Sequence, residues 1–261
     1  MRKIRAVFRV LFQDNLNYRA QAVVWIMTSI IPTVTIAAVW LASYGKSTTL
    51  GGFAKSDMIM YFVGSLVITN IISSSISFDM GNEIKQGRLS FYLVRPLSYP
   101  VYQFLANLGW RVFRTMMFLP FLPLIWLALY RELNFSATNL GWQFWFAIII
   151  AHLLSFAMSF FVGSWALFLE DMSSIDQIYS LSSFLLSGSI APIALMPKGL
   201  QAIADWSPFR YVLSFPLEIL TEHSSMVGLN FVISLSWLIL FVSSGLLLFN
   251  FGLRRYSAIG Q

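Results

Sequence analysis

The sequence predicts an all-α integral membrane protein with six transmembrane helices. Of its 261 residues, 57% are hydrophobic and only 11% are charged, whereas a soluble domain usually carries about 25% charged residues. The mean hydropathy is +0.72, and a soluble protein of this length could not bury so much apolar surface in one core. The composition therefore predicts that much of the protein surface is in contact with lipid. The chain divides into an N-terminal amphipathic helix, residues 1–19, and a six-span domain, residues 20–261.

The N-terminal segment has the pattern of a basic amphipathic helix. Apolar side chains recur at i, i+3, i+4, i+7 and i+8 on one face, and arginines occupy another. The apolar face carries Ile4, Val7, Phe8, Leu11 and Phe12, and the basic face carries Arg2, Arg5 and Arg9. Such a helix suits the headgroup plane of a membrane. A surface helix on a soluble domain has the same pattern, but a membrane span follows directly here.

Six apolar segments follow, each close to or above the roughly 20 residues that cross a bilayer. They cover residues 20–43, 58–78, 104–130, 142–169, 178–195 and 229–251. Pro32 predicts a kink in the first segment. A serine patch ends the second, and small polar residues of this kind predict close helix contacts or hydrogen bonds between helices. The patch consists of Ser73, Ser74, Ser75 and Ser77.

Residues 196–228 are apolar but are broken by Pro197, Pro208 and Pro216. The segment is a candidate seventh crossing, yet each of its apolar pieces is shorter than about 14 residues, which is too short to span. Interfacial or re-entrant helices therefore fit better. We expect them on the extracellular side, before the last span.

The distribution of Lys and Arg predicts the orientation of the six spans. Twelve of the 17 basic residues lie on the side that holds both termini, and five lie on the other. Because basic residues concentrate on the inner face, both termini are expected in the cytoplasm. Arg111 and Arg114 lie near the start of the third span. We expect their side chains to reach the headgroups, with the apolar core beginning near Thr115.

The sequence lacks the residues that several kinds of chemistry need. It has no cysteine and only two histidines, His152 and His223, so thiolate sites and multi-histidine metal centres are excluded. No Walker phosphate loop, H-E-x-x-H motif or G-x-S-x-G motif is present. The net charge of +6 is explained by topology and anionic lipid headgroups rather than by nucleic acid.

Charged side chains are nearly absent from the span centres, where ion-coupled transporters place their functional groups. His152 is the exception. It is either a proton or substrate contact, or a packing histidine bonded to a serine or a backbone carbonyl group. A carrier without intramembrane charges must take its energy from elsewhere, and a partner protein on the cytoplasmic face is the natural source.

The connector between the second and third spans, residues 79–102, is the longest charged loop. A short helix is predicted from Asp79, as its N-cap, to Gln86, with Gly87 as its stop. Apolar residues follow at Leu89, Phe91, Tyr92 and Leu93. An apolar patch with charged neighbours is typical of a protein interface. The alternative is a linker at the headgroup level that touches only lipid.

The same connector resembles the E-x-x-x-G-x-L…L-x-R-P-L pattern of ABC-2 type export permeases. The matching residues are Glu83, Gly87, Leu89, Leu93, Arg95, Pro96 and Leu97. A later stretch resembles the segment that precedes the last span in that family. It contains Met196, Pro197, Trp206, Ser207, Pro208, Phe209, Arg210, Tyr211, Phe215 and Pro216. With the six spans and the N-terminal helix, the resemblance covers nearly the whole chain.

The resemblance implies a non-catalytic subunit of the bacterial inner membrane without a metal or cofactor of its own. Two such subunits, identical or paralogous, would pair, and two ATPase subunits carrying Mg-ATP would bind below them. The cytoplasmic coupling helix that docks on the ATPase would use Asp79, Glu83, Lys85, Arg88, Leu89, Phe91 and Leu93. The interfacial helix, with Arg2, Arg5, Phe8, Arg9 and Phe12, would lie beside it. The extracellular re-entrant helices would contain Pro197, Trp206, Pro208, Phe209, Arg210 and Glu218.

The implied function is ATP-driven export of an amphipathic or lipid-like substrate such as a drug, a peptide or a lipid-linked glycan. Apolar and aromatic cavity walls with some serines would suit such a cargo. One alternative is an intramembrane lipid-modifying enzyme. It would depend on the sole carboxylate and histidine cluster of the sequence, Glu218, Glu222 and His223. The other is an ABC-associated immunity or signalling subunit, which would share the fold without exporting a cargo.

Overall fold

The computed structural model describes residues 2–129, 138–224 and 226–256, apart from the side chains of residues 2, 3 and 19. The roles expected for the Arg2 side chain and for Arg131 therefore lie outside the described residues. The helices are α1 (Arg2–Asn17), α2 (Arg19–Ser43), α3 (Lys55–Ile72), α4 (Ile76–Lys85), α5 (Leu89–Leu93), α6 (Tyr99–Phe118), α7 (Phe121–Leu129), α8 (Trp142–Ser164), α9 (Ser173–Leu186), α10 (Lys198–Trp206), α11 (Pro208–Val212), α12 (Ser214–Leu220) and α13 (Val227–Leu253).

Four helical segments of the described part are long and apolar enough to cross a membrane. They are Ala20–Ser43, Lys55–Lys85, Trp142–Leu167 and Val227–Leu253. A fifth crossing results if α6 and α7, which meet at an angle of 47°, form one broken span. Pro120 lies at that break, where the missing N–H and the proline ring disfavour a continuous helix. The expected all-α membrane fold is confirmed, although Pro32 lies inside an unbroken α2.

The fifth apolar segment, residues 178–195, is not the single helix that its composition predicts. Helix α9 ends at Leu186, and residues 187–192 are irregular before a 3₁₀ turn. Gly188 adopts φ +92, a left-handed conformation that ends helices and disfavours any side chain. The prediction of one continuous helix is therefore wrong for this segment.

Neighbouring helices donate hydrogen bonds to carbonyl oxygens of the irregular backbone that follows α9. Tyr61 Oη donates a hydrogen bond to the Gly188 carbonyl oxygen at 2.8 Å. Trp40 Nε1 donates to the Ile190 carbonyl oxygen at 2.7 Å. Irregular backbone is tolerated at membrane depth only where protein or a water-filled cavity completes its hydrogen bonds. The side chains of α2 and α3 meet that requirement here.

A small hairpin interrupts the predicted polar loop between the first two long helices. Strands β1 (Thr49–Leu50) and β2 (Phe53–Ala54) pair in antiparallel fashion. Gly51 and Gly52 form the turn with φ values of +55 and +91, which suits a two-residue hairpin loop. Tyr44 Oη donates to the Phe53 carbonyl oxygen at 3.0 Å. The hairpin is thereby fixed against the end of α2.

Helices α8 and α13 pack side by side and run in the same direction. Phe146 contacts Phe231 near the start of both helices, and Phe168 contacts Phe251 near their ends, with ring centroids 5.2 Å and 6.0 Å apart. A Cβ atom at Gly252 would lie only 2.6 Å from Leu167 Cβ, so glycine permits the close approach. Because the two helices are parallel, the chain must return along the bundle between them.

Two main apolar clusters lie at opposite ends of this bundle. One joins the hairpin, α3, the start of α8 and α11–α12, with Tyr44, Tyr211 and Phe215 fully buried. The other joins α4, α5 and the start of α6 to the ends of α8 and α13. It contains Ile76, Met80, Ile84, Leu89, Tyr99, Phe160, Ala166, Met172 and Phe249.

Candidate functional site

The predicted coupling helix corresponds to two short helices, α4 and α5, which we name the α4–α5 segment (residues 76–94). Helix α4 begins at Ile76, three residues before the predicted N-cap Asp79, because the break after α3 falls at residues 73–75. Asp79 lies instead in the first turn of α4. Gly87 adopts φ +71 and ends the helix as predicted.

One face of the α4–α5 segment is buried. Met80, Ile84 and Leu89 pack in one cluster with Tyr99 and Phe249. Leu89 is fully buried, so it is not the exposed docking group that the sequence suggests. Burial of a leucine side chain contributes about 1.5–3 kcal/mol relative to leaving it in water. Leu89 therefore fixes α5 to the bundle.

Helices α4 and α8 approach each other closely. A Cβ atom at Gly163 would lie 2.9 Å from Met80 Sδ and 3.0 Å from Ser77 Cα. The Ser77 backbone N–H donates to Ser159 Oγ at 2.9 Å. Within the break, Ser74 Oγ accepts a hydrogen bond from Asn107 Nδ2 of α6 at 3.1 Å. The serine patch therefore makes the hydrogen bonds between helices that its composition predicts.

A compact hydrogen-bond network joins α4 to the start of α6. Tyr99 Oη and Gln103 Nε2 both donate to Glu83 Oε2, at 2.5 Å and 2.8 Å. Gln103 Nε2 also lies 2.7 Å from Tyr99 Oη. Hydrogen bonds to an ionised acceptor are shorter and roughly twice as strong as neutral ones. Glu83 thus points inward and ties the α4–α5 segment to α6.

The opposite face of the segment is exposed and apolar, with charged neighbours. Phe91 is 68% exposed and Val94 is 85% exposed. Leu93, Lys85 and Arg88 are exposed as well, whereas Asp79 lies on the same side of α4 as Glu83 and lines a cavity beside Arg111. Aromatic and aliphatic side chains beside charges are typical of a protein interface. The segment therefore has one face locked to the helices and one face free for a partner.

Arg95, from the family-like motif, stabilises the end of this segment. Its guanidinium lies over the rings of Tyr92 and Tyr102, at 4.8 Å and 5.5 Å from their centroids. A cation over an aromatic face is attracted by the ring quadrupole. At the same end of the bundle, Ser90 Oγ lies 3.4 Å from Tyr256 Oη. The segment thus lies beside the C-terminal end of α13.

Helix α1 is the helix that the sequence predicts, and it packs on α6. Phe12 meets Phe113 edge to face with ring centroids 6.2 Å apart. Phe8 approaches Gly109, where a Cβ atom would lie 3.8 Å from the Phe8 ring. Arg5 and Arg9 are exposed. The apolar face of α1 is therefore covered in part by protein.

The predicted re-entrant segment forms three short helices, α10–α12, around Arg210. Arg210 Nη1 pairs with Asp205 Oδ1 at 2.6 Å, and Nη2 pairs with Glu218 Oε2 at 3.0 Å. Burial alone would lower the pKa of Arg210, but the attraction of Glu218 and Asp205 outweighs it and raises the pKa above its ordinary value. Ser214 Oγ donates to the other Glu218 oxygen at 2.9 Å. These contacts join α10, α11 and α12.

The remaining residues expected in this segment mark its helix ends and surface. Pro197 is exposed at the N-cap of α10, and Pro208 is the first residue of α11, where its missing N–H costs nothing. Phe209 contacts Tyr179 of α9 with ring centroids 5.8 Å apart. Trp206 is 78% exposed.

We predict that the two ion pairs of Arg210 differ in their effect on stability. Glu218→Gln should cost about 1–3 kcal/mol, because it leaves a largely buried guanidinium poorly paired. Asp205→Asn should cost about 0–1 kcal/mol, because the Asp205 side chain is 48% exposed. Thermal unfolding of the detergent-solubilised variants measures the difference. Equal shifts of the unfolding midpoint in the two variants would contradict the expected difference between the two ion pairs.

The carboxylate and histidine cluster required by the enzyme alternative is not assembled. Both oxygens of Glu218 are engaged by Arg210 and Ser214. His223 stacks on Phe53, with ring centroids 4.8 Å apart and Nδ1 2.6 Å from the Thr221 carbonyl oxygen. Within the described ranges, no group of three or more His, Asp or Glu side chains could hold a metal ion.

A cavity of about 720 Å³, which we name the α6 groove, lies between the α1–α2 junction, the break after α3 and one face of α6. It is lined among others by Tyr18, Trp25, Ser74, Asp79, Asn107 and Arg111. The α6 face is a stripe of buried polar residues at i, i+4, i+8 and i+11, namely Gln103, Asn107, Arg111 and Arg114. This spacing can be read from the sequence. Because Arg111 and Arg114 lie near the start of a predicted span, however, the sequence alone favours their interpretation as markers of membrane orientation rather than as part of a buried site.

Arg111 and Arg114 do not reach out to the headgroups as the sequence suggests, since they are only 4% and 8% exposed. Arg114 Nη2 donates to the Trp25 carbonyl oxygen and to Ser29 Oγ, both at 3.1 Å. In the described part of the chain, Arg111 Nε, Arg111 Nη1 and Arg114 Nε have no hydrogen-bond partner. Each unsatisfied buried donor of this kind costs about 1–3 kcal/mol or more.

Comparison with known proteins places the chain in a family. The sequence model of a family described as ABC-2 family transporter protein matches residues 25–260. No curated protein matches the chain. The family match spans both the α4–α5 segment and the α10–α12 segment, and it covers most of the long helices. The chain therefore belongs to the ABC-2 family of transporter proteins and is a multi-pass permease component of an ABC transporter.

Proposed function

We propose that the chain is the membrane subunit of an ATP-driven exporter that moves an amphipathic or lipid-like substrate out of a bacterial cytoplasm. Two copies, or this chain and a paralogous permease, would pair in the inner membrane above two ATPase subunits. The ATPases would bind and hydrolyse Mg-ATP, because this sequence has no Walker phosphate loop. Family membership supports an ATPase partner in general terms.

The proposed topology has six crossings. Helices α8 and α13 are parallel, so the chain between them must return along the bundle, and α9 with residues 187–195 supplies that return. The bundle then runs α2, α3, α6–α7, α8, α9 and α13 in alternating directions. The start of α2 and the end of α13 fall at the end that carries the α4–α5 segment. The excess of basic residues at this end supports a cytoplasmic location.

The observation that carries the proposal is the two-sided nature of the α4–α5 segment. Its inner face is fixed to α6 and α8 through Glu83, Ser77 and Leu89. Its outer face exposes Phe91 and Val94. Closure of the ATPases on ATP would push the outer face, and the inner face would pass the motion to the spanning helices as rigid bodies. Cargo would then be displaced outward along the interface between the two permeases.

Export itself is tested with the permease and its cognate ATPase reconstituted together in vesicles. ATP outside inside-out vesicles is expected to drive uptake of an amphipathic dye or a fluorescent lipid. A catalytically inactive ATPase variant should abolish that uptake. Normal ATPase binding without transport of any amphipathic probe would favour the immunity or signalling alternative instead.

The topology predicts opposite labelling at the two ends of the bundle. The natural chain has no cysteine, so Val94→Cys and Trp206→Cys each introduce a single exposed thiol. A membrane-impermeant maleimide should label Trp206→Cys in spheroplasts and Val94→Cys only in inside-out vesicles. The unsubstituted chain provides the zero-label control. Labelling of Val94→Cys in intact spheroplasts would overturn the cytoplasmic placement of the α4–α5 segment.

A further inference from the structure

The α6 groove holds two buried cations that the coupling scheme does not use. Arg111 leaves Nε and Nη1 without a hydrogen-bond partner, and Arg114 leaves Nε without one, among the residues described. A guanidinium has five N–H donors in a fixed plane and no acceptor. Its burial is costly unless acceptors or an anion complete these bonds. The unpaired donors therefore indicate an anionic ligand.

Asp79 lies close enough to Arg111 to attract it, but among the described residues no carboxylate of the groove accepts a hydrogen bond from Arg111 or Arg114. Asp176 accepts a hydrogen bond from Ser77 Oγ, and Asp79 is exposed. Among the described residues, every ion pair within 4.0 Å involves Arg210 at the other end of the bundle. Asp79 and Asp176 thus line the groove without occupying the guanidinium donors.

The surroundings of the arginines are apolar. Trp25 and Trp110 line the same groove. Arg111 also lines a second cavity of about 520 Å³ between α6 and α8, whose other walls include Leu108, Val112 and Met116. A ligand with an anionic head and a hydrocarbon chain would satisfy both the donors and these walls. Phosphate suits the head, because guanidinium groups bind its oxygens in a bidentate fashion.

We propose that the α6 groove binds the phosphate group of a lipid through Arg111 and Arg114. The apolar cavity beside Arg111 receives part of the hydrocarbon chain. The identification of this lipid as the exported cargo rests on the proposed export function. The binding site itself does not, because it is complete in the single chain.

The test uses the purified full-length chain in a neutral detergent and isothermal titration calorimetry. Dihexanoylphosphatidic acid is the probe, and dihexanoylglycerol, which lacks the phosphate, is the matched neutral lipid. Inorganic phosphate provides the arm without a hydrocarbon chain. The variants are Arg111→Gln and Arg114→Gln, and Lys198→Gln serves as control because it removes an exposed cation of α10, at the opposite end of the bundle. Size-exclusion profiles and thermal unfolding establish that each variant is folded.

We expect the phosphatidic acid to bind at least tenfold more tightly than either dihexanoylglycerol or inorganic phosphate. Arg111→Gln and Arg114→Gln should each weaken it at least tenfold, and Lys198→Gln should leave it unchanged. Equal binding of inorganic phosphate would overturn the lipid assignment, and equal binding of dihexanoylglycerol would overturn the phosphate site. Absence of measurable phosphatidic acid binding would overturn both the lipid assignment and the phosphate site. If a glutamine variant fails to fold, the comparison of the three ligands on the natural chain still decides.

This outcome is separable from that of the export proposal. The calorimetry involves neither an ATPase nor transport, so failed binding alongside ATP-driven uptake would overturn only the phosphate site. Intact binding by a chain that supports no uptake would overturn only the export function.

Discussion

Phe91→Ala is expected to abolish copurification of the cognate ATPase while leaving the permease as stable as the natural chain. Phe91 is 68% exposed on the outer face of α5, so its truncation removes few intramolecular contacts, and surface changes of this kind usually stay within ±0.5 kcal/mol of stability. Exposed aromatic groups at the centre of an interface are frequent hot spots worth about 2 kcal/mol or more. That loss corresponds to a dissociation constant roughly thirtyfold higher.

Two matched variants separate this effect from general damage. Trp206→Ala removes an even more exposed aromatic group, 78% exposed, at the opposite end of the bundle and should not change ATPase binding. Leu89→Ala removes a fully buried side chain and should lower stability by about 2–5 kcal/mol through the cavity it leaves. Titrated pull-down with purified ATPase and thermal unfolding measure the two effects. Wild-type ATPase affinity in Phe91→Ala would place the interface elsewhere.

Hydropathy predicts most of the long helices because the apolarity of a segment reports the lipid around it. It fails at residues 187–192, where the segment stays apolar but the helix ends. The hydrogen bonds that stabilise this ending come from Tyr61 and Trp40. Both donors belong to other helices, far away in the chain. No window of local sequence contains that information.

The direction of the side chains in the candidate site could not be predicted from the sequence. The motif resemblance implied that residues 79–93 of the connector dock on the ATPase, yet it did not separate inward from outward groups. Leu89 is inward because α5 packs on the ends of α8 and α13, and Glu83 is inward because Tyr99 and Gln103 supply donors. The direction of the Arg111 side chain was equally unpredictable. Arg111 lies near the end of a predicted span, and basic residues there are normally taken to mark the cytoplasmic side of the membrane. Only the packing of α1 and α2 on α6 makes it a buried cation.

Glu83→Ala is expected to uncouple ATP hydrolysis from export without releasing the ATPase. The variant keeps the exposed face around Phe91, so ATPase copurification should remain within about threefold of the natural complex. It loses the hydrogen bonds from Tyr99 Oη and Gln103 Nε2 to Glu83 Oε2. Hydrogen bonds to charged groups contribute about 1.5–3 kcal/mol each. Movement of α4 would then reach α6 poorly, and substrate exported per ATP hydrolysed should fall tenfold or more.

The pattern across three variants tests this division of labour between the two faces. Glu83→Gln keeps the shape of the side chain but loses its charge, so its export should lie between that of the natural chain and that of Glu83→Ala. Arg88→Ala changes an exposed charge and should weaken ATPase binding modestly, with no change in thermal stability, as expected for a charge at the rim of an interface. Export and ATPase activity are measured together in reconstituted vesicles. Because α4 can transmit force only if it is attached at both faces, normal export per ATP in Glu83→Ala would show that motion passes to the spans by another contact.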